Sequence, residues 1–313
     1  MRAIVLEEVG GVENLIIKEL PQPTVSENEV LVSVKAIGIN PVDYKVRAID
    51  GLLQMIYGEQ QPVILGWDIA GVVQAVGDNV TLYNTGDAVF GMVNFPGAGN
   101  GYAEFVSAPE SHLAKKPAAV SFEEAAATTL AALTALQVLH PRVKKGDRVL
   151  IHAGSGGVGH FAIQIAKSLG AYVITTSSAR NKDFIMSLGA DEHIDYNASA
   201  FQDVVKEVDF VFDMFNGAIL FNSVKVVKQG GSIISIPTPV FSEEVMKLAN
   251  ERKVTVENLM VHSSGEDMNM LKTWLENGTI KPHVSMTFPF EKMALAHQQL
   301  ESGRTIGKVV VTL

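Results

Sequence analysis

The sequence predicts an α/β protein in which a β-rich domain is combined with a doubly wound parallel sheet. Three features indicate this fold class. Short strand-like segments separated by glycine turns fill the first third, apolar strands alternate with helices after residue 121, and a glycine-rich turn at 154–159 joins one strand to a helix. The chain has 313 residues, of which 47% are hydrophobic, so it can form two domains and is not intrinsically disordered.

The first domain is predicted from segments of strand character. Residues 30–36 place the polar Ser33 and Lys35 between apolar neighbours, which is the alternation of a half-buried strand. Residues 69–77 and 87–91 are further short strands, and glycine-containing turns separate them. We therefore expect an antiparallel, barrel-like domain.

The second domain is predicted to begin with a helix at Ser121. Ser121 and Glu124 have the spacing of a capping box, and an apolar run to Leu139 follows. Strands are then predicted at residues 148–153, 172–177, 193–196, 209–214, 231–236 and 254–261. Helices are predicted between them at residues 158–169, 182–188, 201–208, 219–227 and 243–252. Apolar strands that alternate with helices predict a parallel, doubly wound sheet.

The last part of the sequence predicts a return to the first domain. A helix is expected at residues 291–301 and a final strand at residues 307–313. A terminal strand needs a sheet to join, and the β-rich domain is the natural host. The predicted domains are therefore residues 1–120 with 262–313, and residues 121–261.

Composition excludes several classes of function. The net charge of −9 and the isoelectric point near 5.4 leave no basic surface for nucleic acid. The absence of cysteine excludes disulfides, thiolate metal sites and a cysteine nucleophile. The charge-free run at residues 125–138 is too short to span a membrane, and the first residues lack the apolar core of a signal peptide. We expect a soluble, cytoplasmic protein.

The most informative motif is Gly154-x-Gly156-x-x-Gly159, between an apolar strand and an amphipathic helix. Glycines permit a tight turn and a close approach of the backbone to a pyrophosphate, and the N–H groups of Gly157 and Val158 face its negative charge. In this context the motif predicts a Rossmann-type dinucleotide site. The alternative is a glycine-rich turn that binds nothing.

The end of the next strand predicts which dinucleotide is bound. An NAD site usually has an acidic residue here to hold the ribose 2′-hydroxyl. This chain instead has Ser177, Ser178, Arg180 and Lys182, which provide hydroxyls and cations for a 2′-phosphate. The pattern favours NADPH over NADH. The alternative is that Arg180 and Lys182 are only solvated at the start of a helix.

Several motifs together resemble one family over essentially the whole chain. They are Gly38-Ile39-Asn40-Pro41-Val42-Asp43-Tyr44-Lys45, Leu65-Gly66-Trp67-Asp68, Gly101-Tyr102-Ala103-Glu104-Phe105, Leu133-Thr134-Ala135, the glycine motif, and the ending Gly303-Arg304-Thr305-Ile306-Gly307-Lys308. The chain resembles the medium-chain dehydrogenase/reductase superfamily, in the zinc-independent branch of quinone oxidoreductases (zeta-crystallin-like) and NADPH-dependent alkenal/enone reductases. The resemblance implies a GroES-like catalytic domain and a Rossmann nucleotide-binding domain.

The positions at which zinc-dependent relatives bind the metal differ in this chain, and the difference implies the type of reaction. Where they have Gly-His-Glu, this chain has Gly66-Trp67-Asp68, and the segment ending at Asn40 stands where they have the first cysteine ligand. We therefore expect no catalytic metal. The resemblance then implies hydride transfer to an acceptor that is already electron-poor, a quinone or an α,β-unsaturated carbonyl compound.

The resemblance also implies roles for single residues. Asn40 and Tyr44 are expected to be catalytic residues in a cleft between the domains. Asn40 is also expected to contact the cofactor, and Tyr44 to hydrogen-bond the substrate oxygen or relay a proton. The alternative for Tyr44 is a packing role at the domain interface. Asp43 is expected to cap a turn after Pro41.

Further cofactor contacts are implied near the ends of the later elements. Thr134 is expected near the nicotinamide, or bonded to its own helix backbone. Tyr196 is expected beside the 2′-phosphate. The segments at the carboxyl ends of two strands are expected to contact the nicotinamide side through backbone atoms; they contain Phe215, and Ile236, Pro237 and Thr238. His152 and His160 are expected to be core histidines without metal.

Two alternative functions stay open on the sequence. One is an enoyl-thioester reductase, and the other is an NADPH-binding redox sensor or structural protein with little catalysis. The apolar strand at residues 254–261 could be an uncovered sheet edge, so we expect a homodimer.

Overall fold

A computed structural model describes residues 1–59, 62–237 and 239–313. The chain divides into two compact units. Unit 1 consists of Met1–Leu133 and Val261–Leu313, and unit 2 of Thr134–Met260. No helix in these described ranges is long and apolar enough to cross a membrane.

Unit 1 is built on two sheets. Its strands are β1 Arg2–Leu6, β2 Leu15–Glu19, β3 Glu29–Ile39, β4 Val63–Ile64, β5 Asp68–Val76, β6 Ala88–Met92, β7 Phe105–Pro109, β8 Leu113–Lys115, β15 Val284–Pro289 and β16 Lys308–Thr312. One sheet has the order β2-β1-β4, and the other has the order β15-β16-β3-β5-β6-β8, with β7 also paired to β3. Most pairs are antiparallel, as the alternating segments predict.

The final strand, β16, is part of the larger sheet of unit 1. β16 pairs antiparallel with β3, with Val309 opposite Ile39, and parallel with β15. Because β16 lies between β15 and β3, Lys308 is beside the end of β3, where helix α1 (Pro41–Ala48) begins.

The helices of unit 1 differ most from the predicted elements. They are α1 Pro41–Ala48, α2 Asp50–Tyr57, α3 Phe122–Ala127, α10 Gly265–Glu276 and α11 Met293–Glu301. The capping box of Ser121 and Glu124 is confirmed at the start of α3. The helical run predicted to Leu139 is interrupted, because the hydroxyls of Thr128 and Thr129 bond the carbonyls of Glu124 and Ala126 and end α3.

Helix α3 lies in unit 1, whereas the sequence places it in the second domain. The cause is close packing on β3, since a Cβ on Gly38 would lie 2.4 Å from the carbonyl oxygen of Ala126. The next helix, α4 Leu130–Leu139, begins in unit 1 and continues into unit 2.

Unit 2 is a parallel sheet that alternates with helices. Its strands are β9 Arg148–Ile151, β10 Tyr172–Ser177, β11 Glu192–Asp195, β12 Val208–Asp213, β13 Val227–Ser235 and β14 Thr255–Asn258, in the order β11-β10-β9-β12-β13-β14. The helices between them are α5 Gly157–Ser168, α6 Lys182–Ser187, α7 Phe201–Val204, α8 Gly217–Val226 and α9 Glu243–Arg252. This arrangement confirms the doubly wound class. Helix α7 is shorter than predicted, and a buried apolar cluster that includes Leu150, Ile174 and Val211 forms part of the core.

Candidate active site

The glycine turn of unit 2 leads from β9 into α5 with no room for side chains. A Cβ on Gly154 would lie 2.0 Å from the Thr175 hydroxyl oxygen, and one on Gly159 would lie 2.2 Å from the Ala153 carbonyl oxygen. Both distances are far below any normal contact. The turn is therefore as tight as the motif predicts, and its glycines carry no side chains that would keep a ligand from the backbone.

The start of helix α5 is suited to an anion. Gly156 is its N-cap residue, no side chain caps it, and its first turn has no acidic residue. The N–H groups of the first turn, which include those of Gly157 and Val158, have no acceptor within an α-helix, and the helix dipole adds positive potential there. The bare turn and this uncapped helix end together fit the pyrophosphate of a dinucleotide.

The segment after β10 carries the residues predicted to hold a 2′-phosphate. Ser178, Arg180 and Lys182 have accessible side chains, and Lys182 is the first residue of α6. Ser177 differs, because it is only 2% exposed and its hydroxyl donates to the Ser178 carbonyl at 3.0 Å. The structure thus separates Ser177 from the three accessible residues.

Asn181 joins this segment to the glycine turn, a link that sequence reasoning missed. The buried Asn181 donates from Nδ2 to the hydroxyl of Ser155 at 2.8 Å. The two segments that would hold the pyrophosphate and the adenosine ribose are therefore fixed to each other. The only signal in the sequence is a polar residue between two cations.

The remaining predicted cofactor residues lie at strand ends of unit 2. Tyr196 follows β11 and is 63% exposed, and Phe215 follows β12 and is 56% exposed. Ile236 and Pro237 follow β13 and are half-buried. Thr238 lies outside the described residues.

Asp213, at the end of β12, was not predicted. Its hydrogen bonds connect the segment after β12 to the end of β13. Its buried carboxylate accepts hydrogen bonds from the N–H groups of Phe215 at 3.2 Å and Asn216 at 2.9 Å, and from the Ser235 hydroxyl at 2.6 Å. Burial raises the pKa of Asp213, and these three donors oppose the increase. Its carbonyl also accepts from the N–H of Ile236. One residue thus orders both segments predicted beside the nicotinamide.

The histidines near the glycine motif are core residues, as predicted. His152 is 1% exposed and bonds the hydroxyls of Thr176 and Ser223 at 3.2 Å and 2.9 Å, and burial lowers its pKa to about 3. His160 is buried and bonds the Gly156 carbonyl. Within residues 1–59, 62–237 and 239–313, no three His, Asp or Glu residues form a group suited to a metal ion.

In unit 1, the predicted catalytic segment begins in a buried cluster of charged residues. The Asn40 amide nitrogen donates to Asp68 Oδ2 at 2.8 Å, and the Lys308 ammonium donates to Asn40 Oδ1 and to the Ile39 carbonyl. Lys308 Nζ is 3.7 Å from Asp68 Oδ2. Asn40, predicted as a cofactor contact, is 1% exposed, and both ends of its amide are engaged in this cluster.

Asp68 connects the cluster to helix α4. Its Oδ1 accepts from the N–H of Leu130, the first residue of α4, at 3.0 Å. Burial raises the pKa of Asp68 and lowers that of Lys308, and the attraction between the two opposes both changes. Helix α4 carries Thr134, which is 3% exposed and lies in unit 2.

Asp43 was expected to cap a turn after Pro41; it is instead the third residue of helix α1, in a capping box with the N-cap residue Asn40. Its Oδ2 accepts from the N–H of Asn40 at 2.6 Å, while Oδ1 is buried with no hydrogen-bond partner in the described part of the chain. Burial and the nearby negative charge of Asp68 raise the pKa of Asp43 to about 7. This carboxyl is therefore only partly ionised near neutral pH.

Tyr44 follows Asp43 on α1 and is half-buried. Burial and the negative charge of Glu301 raise the pKa of its phenol, so the hydroxyl stays protonated at neutral pH. Glu301 itself is held by Arg47, whose guanidinium also lies 3.4 Å from His297. A protonated phenol is the state required of a hydrogen-bond or proton donor.

Comparison with known proteins agrees with this fold and this chemistry. Residues 26–118 match the family model of the alcohol dehydrogenase GroES-like domain, and residues 188–311 match that of zinc-binding dehydrogenases. The chain is 33% identical to a chloroplast envelope quinone oxidoreductase homolog of Arabidopsis thaliana, over 96% of this chain and 95% of that one.

Two further comparisons cover the same length. The chain is 32% identical to the chloroplastic NADPH-dependent alkenal/one oxidoreductase of Arabidopsis thaliana, over 99% of this chain and 79% of that one. The quinone oxidoreductase structure from Coxiella burnetii superposes with a TM-score of 0.94 at 36% identity, covering 100% of this chain and 99% of that chain.

The chain therefore belongs to the medium-chain dehydrogenase/reductase superfamily, in the branch of quinone oxidoreductases and alkenal/enone reductases. The resemblance stated from the motifs is confirmed. Unit 1 contains the GroES-like domain, and the parallel sheet of unit 2 is of Rossmann type.

The first prediction concerns Lys308. Lys308→Met leaves Asp68 as an unpaired buried charge, so we expect the free energy of unfolding in urea to fall by about 3–5 kcal/mol. Lys115→Met removes an accessible lysine paired with Asp87 and should cost less than about 1 kcal/mol. Adding Asp68→Asn to Lys308→Met should recover part of the loss. Equal losses in the two single variants would contradict the prediction.

The second prediction concerns pH and Asp43. Its pKa rises from about 4 in the unfolded chain to about 7 in the native state, so the native state binds more protons between these values. The free energy of unfolding contributed by Asp43 is therefore greatest below pH 4 and is lost as the pH rises through 7. Asp43→Asn should remove this dependence in urea unfolding from pH 4.5 to 7.5, whereas the exposed Asp78→Asn should follow the wild type. A constant difference between wild type and Asp43→Asn would refute it.

Proposed function

We propose that this protein is an NADPH-dependent reductase that transfers hydride to a quinone or an α,β-unsaturated carbonyl compound. The observation that carries the proposal is the bare glycine turn before the uncapped helix α5, with β10 ending in hydroxyls and cations instead of a carboxylate. The acceptor class is supported by the relatives, which are named quinone oxidoreductase and alkenal/one oxidoreductase.

The proposed cofactor site lies at the carboxyl ends of the strands of the unit 2 sheet. The glycine turn of Gly154, Gly156 and Gly159 and the first N–H groups of α5 hold the pyrophosphate. Ser178, Arg180 and Lys182 bind the 2′-phosphate, with Tyr196 beside it. Both cations have accessible side chains, so a doubly charged phosphate can pair with them directly.

On the nicotinamide side, we propose backbone contacts from Phe215, Ile236 and Pro237, which Asp213 holds in place. Thr134 remains a proposed contact. For Asn40 we propose a positioning role, because its amide is fully engaged and its backbone begins the helix that carries Tyr44.

The proposed reaction needs one hydride and one proton for each acceptor. When bound, reduced NADPH supplies the hydride. Addition of hydride places negative charge on the acceptor oxygen, as an enolate from an enone or a hydroquinone anion from a quinone. The protonated Tyr44 hydroxyl donates a hydrogen bond to that oxygen and stabilises the charge, and a proton from solvent water then completes the product.

We also propose a homodimer that forms along β14. This strand is at the edge of the unit 2 sheet, and its Thr255 and Glu257 are exposed. An uncovered edge strand offers unpaired backbone groups to a second copy. The cytoplasmic location expected from the sequence remains a prediction.

The third prediction tests the function and the cofactor together. Purified protein should oxidise NADPH in the presence of a benzoquinone, a naphthoquinone or a short enone, with a lower KM than for NADH. Replacing Arg180 and Lys182 by Ala should raise the KM for NADPH by about tenfold for each cation and leave that for NADH nearly unchanged. The accessible Lys206→Ala in the same unit is the control.

Three other outcomes would redirect the proposal. Turnover of an enoyl thioester alone would identify an enoyl-thioester reductase. Saturable NADPH binding without turnover of any acceptor would support a sensor or structural protein. Equal use of NADH would reject the 2′-phosphate site.

The fourth prediction concerns Tyr44. Tyr44→Phe removes the proposed donor and should lower kcat for quinone and enone by about a hundredfold. The dissociation constant of NADPH should not change. Tyr172→Phe, which removes a hydroxyl at the surface, should leave kcat unaltered. An unchanged kcat in Tyr44→Phe would assign this residue a packing role only.

A further inference from the structure

His193 is a polar residue of the unit 2 sheet to which the proposed function gives no role. It lies on β11 opposite Thr175 of β10, so its side chain is on the same side of the sheet as Ser177. Its Nε2 lies 2.9 Å from the Ser177 hydroxyl oxygen. The imidazole is half-buried and thus accessible to a charge bound nearby.

The hydrogen bonds of Ser177 define the role of this contact. The single hydroxyl hydrogen of Ser177 is donated to the Ser178 carbonyl, so the Ser177 oxygen accepts from His193 Nε2–H. The chain of bonds runs from His193 through Ser177 to the backbone of Ser178. Ser177, buried and already donating, is a connection between His193 and the phosphate segment and not itself a phosphate donor.

Two charged side chains act on His193: Asp195 of its own strand and Lys182 of the phosphate segment. Burial lowers the pKa of His193. Asp195 on its own strand and a hydrogen bond to the Ser177 backbone raise it, while the Lys182 ammonium at the start of α6 lowers it. The imidazole therefore interacts electrostatically with one of the two cations assigned to the 2′-phosphate. A bound phosphate would raise the pKa of His193, whereas Lys182 lowers it.

We infer that His193 determines the preference for the 2′-phosphate: it positions Ser178 through Ser177, and its protonated form adds a positive charge to that of Arg180 and Lys182. The inference rests on the proposed function, because it requires a 2′-phosphate at this segment. A doubly charged phosphate stabilises the imidazolium, so binding of NADP⁺ takes up a proton that binding of NAD⁺ does not.

The test measures binding without turnover. Dissociation constants of NADP⁺ and NAD⁺ are measured by calorimetry from pH 5.5 to 8 for the wild type and for His193→Gln. The glutamine amide can still donate to Ser177 but cannot be protonated. The preference for NADP⁺ is the ratio of the two constants, and it also contains the titration of the phosphate, with a pKa near 6. Dividing the wild-type ratio by the His193→Gln ratio removes this shared contribution.

The expected result is that this quotient rises by about fivefold from pH 8 to pH 5.5, as a single charge several ångströms away would produce. The control, His140→Gln, replaces an exposed histidine elsewhere in the chain and should give the wild-type ratio at every pH. The NMR titration of His193 in the wild type is a second measurement that needs no substitution. Its pKa should rise with NADP⁺ and not with NAD⁺.

The outcomes separate the inference from the proposed function. If the wild type shows no preference for NADP⁺ at any pH, the proposed cofactor is wrong and the inference is wrong with it. If the wild type prefers NADP⁺ while the quotient is constant and the His193 titration does not move, only the inference is overturned. The inference would also be overturned if His140→Gln lost the same pH dependence of the NADP⁺ preference as His193→Gln.

Discussion

The buried ammonium of Lys308 is the interaction on which the arrangement of unit 1 depends. It joins β16 to the end of β3 through the Ile39 carbonyl, to the start of α1 through Asn40, and to β5 through Asp68. Removing two charges from water is unfavourable, and only their mutual attraction and a full set of hydrogen bonds offset it. The segment that carries Tyr44 is thus held by a contact that tolerates little displacement.

Much of unit 2 could be predicted from the sequence because its signals are local. The turn around Gly156, helix α5 and the ending of β10 each depend on neighbouring residues, and β10 and α9 have the predicted bounds. Asp213 and His193 were not singled out. Their partners come from other strands, and only the register of the sheet shows which side chains meet.

Unit 1 was less predictable for the same physical reason. Helices α1 and α2 carry weak periodic signals, and Lys308 in the sequence is only a cation at the start of a strand. Its partner Asn40 is 268 residues away along the chain, so no local pattern identifies the pair. The interruption of the helical run at Thr128 was also not predicted, because it depends on threonine hydroxyls that bond carbonyls of the preceding helical turn.

The placement of β16 has a consequence for synthesis on the ribosome. Unit 2 is one continuous stretch, so it can fold as soon as residue 260 has emerged. The larger sheet of unit 1 lacks an inner strand until residues 308–312 are made. Until then Asp68 has no counter-charge, and Asn40 Oδ1 lacks the Lys308 ammonium as its donor. The nascent chain therefore carries an open edge of β3 until residues 308–312 have been made.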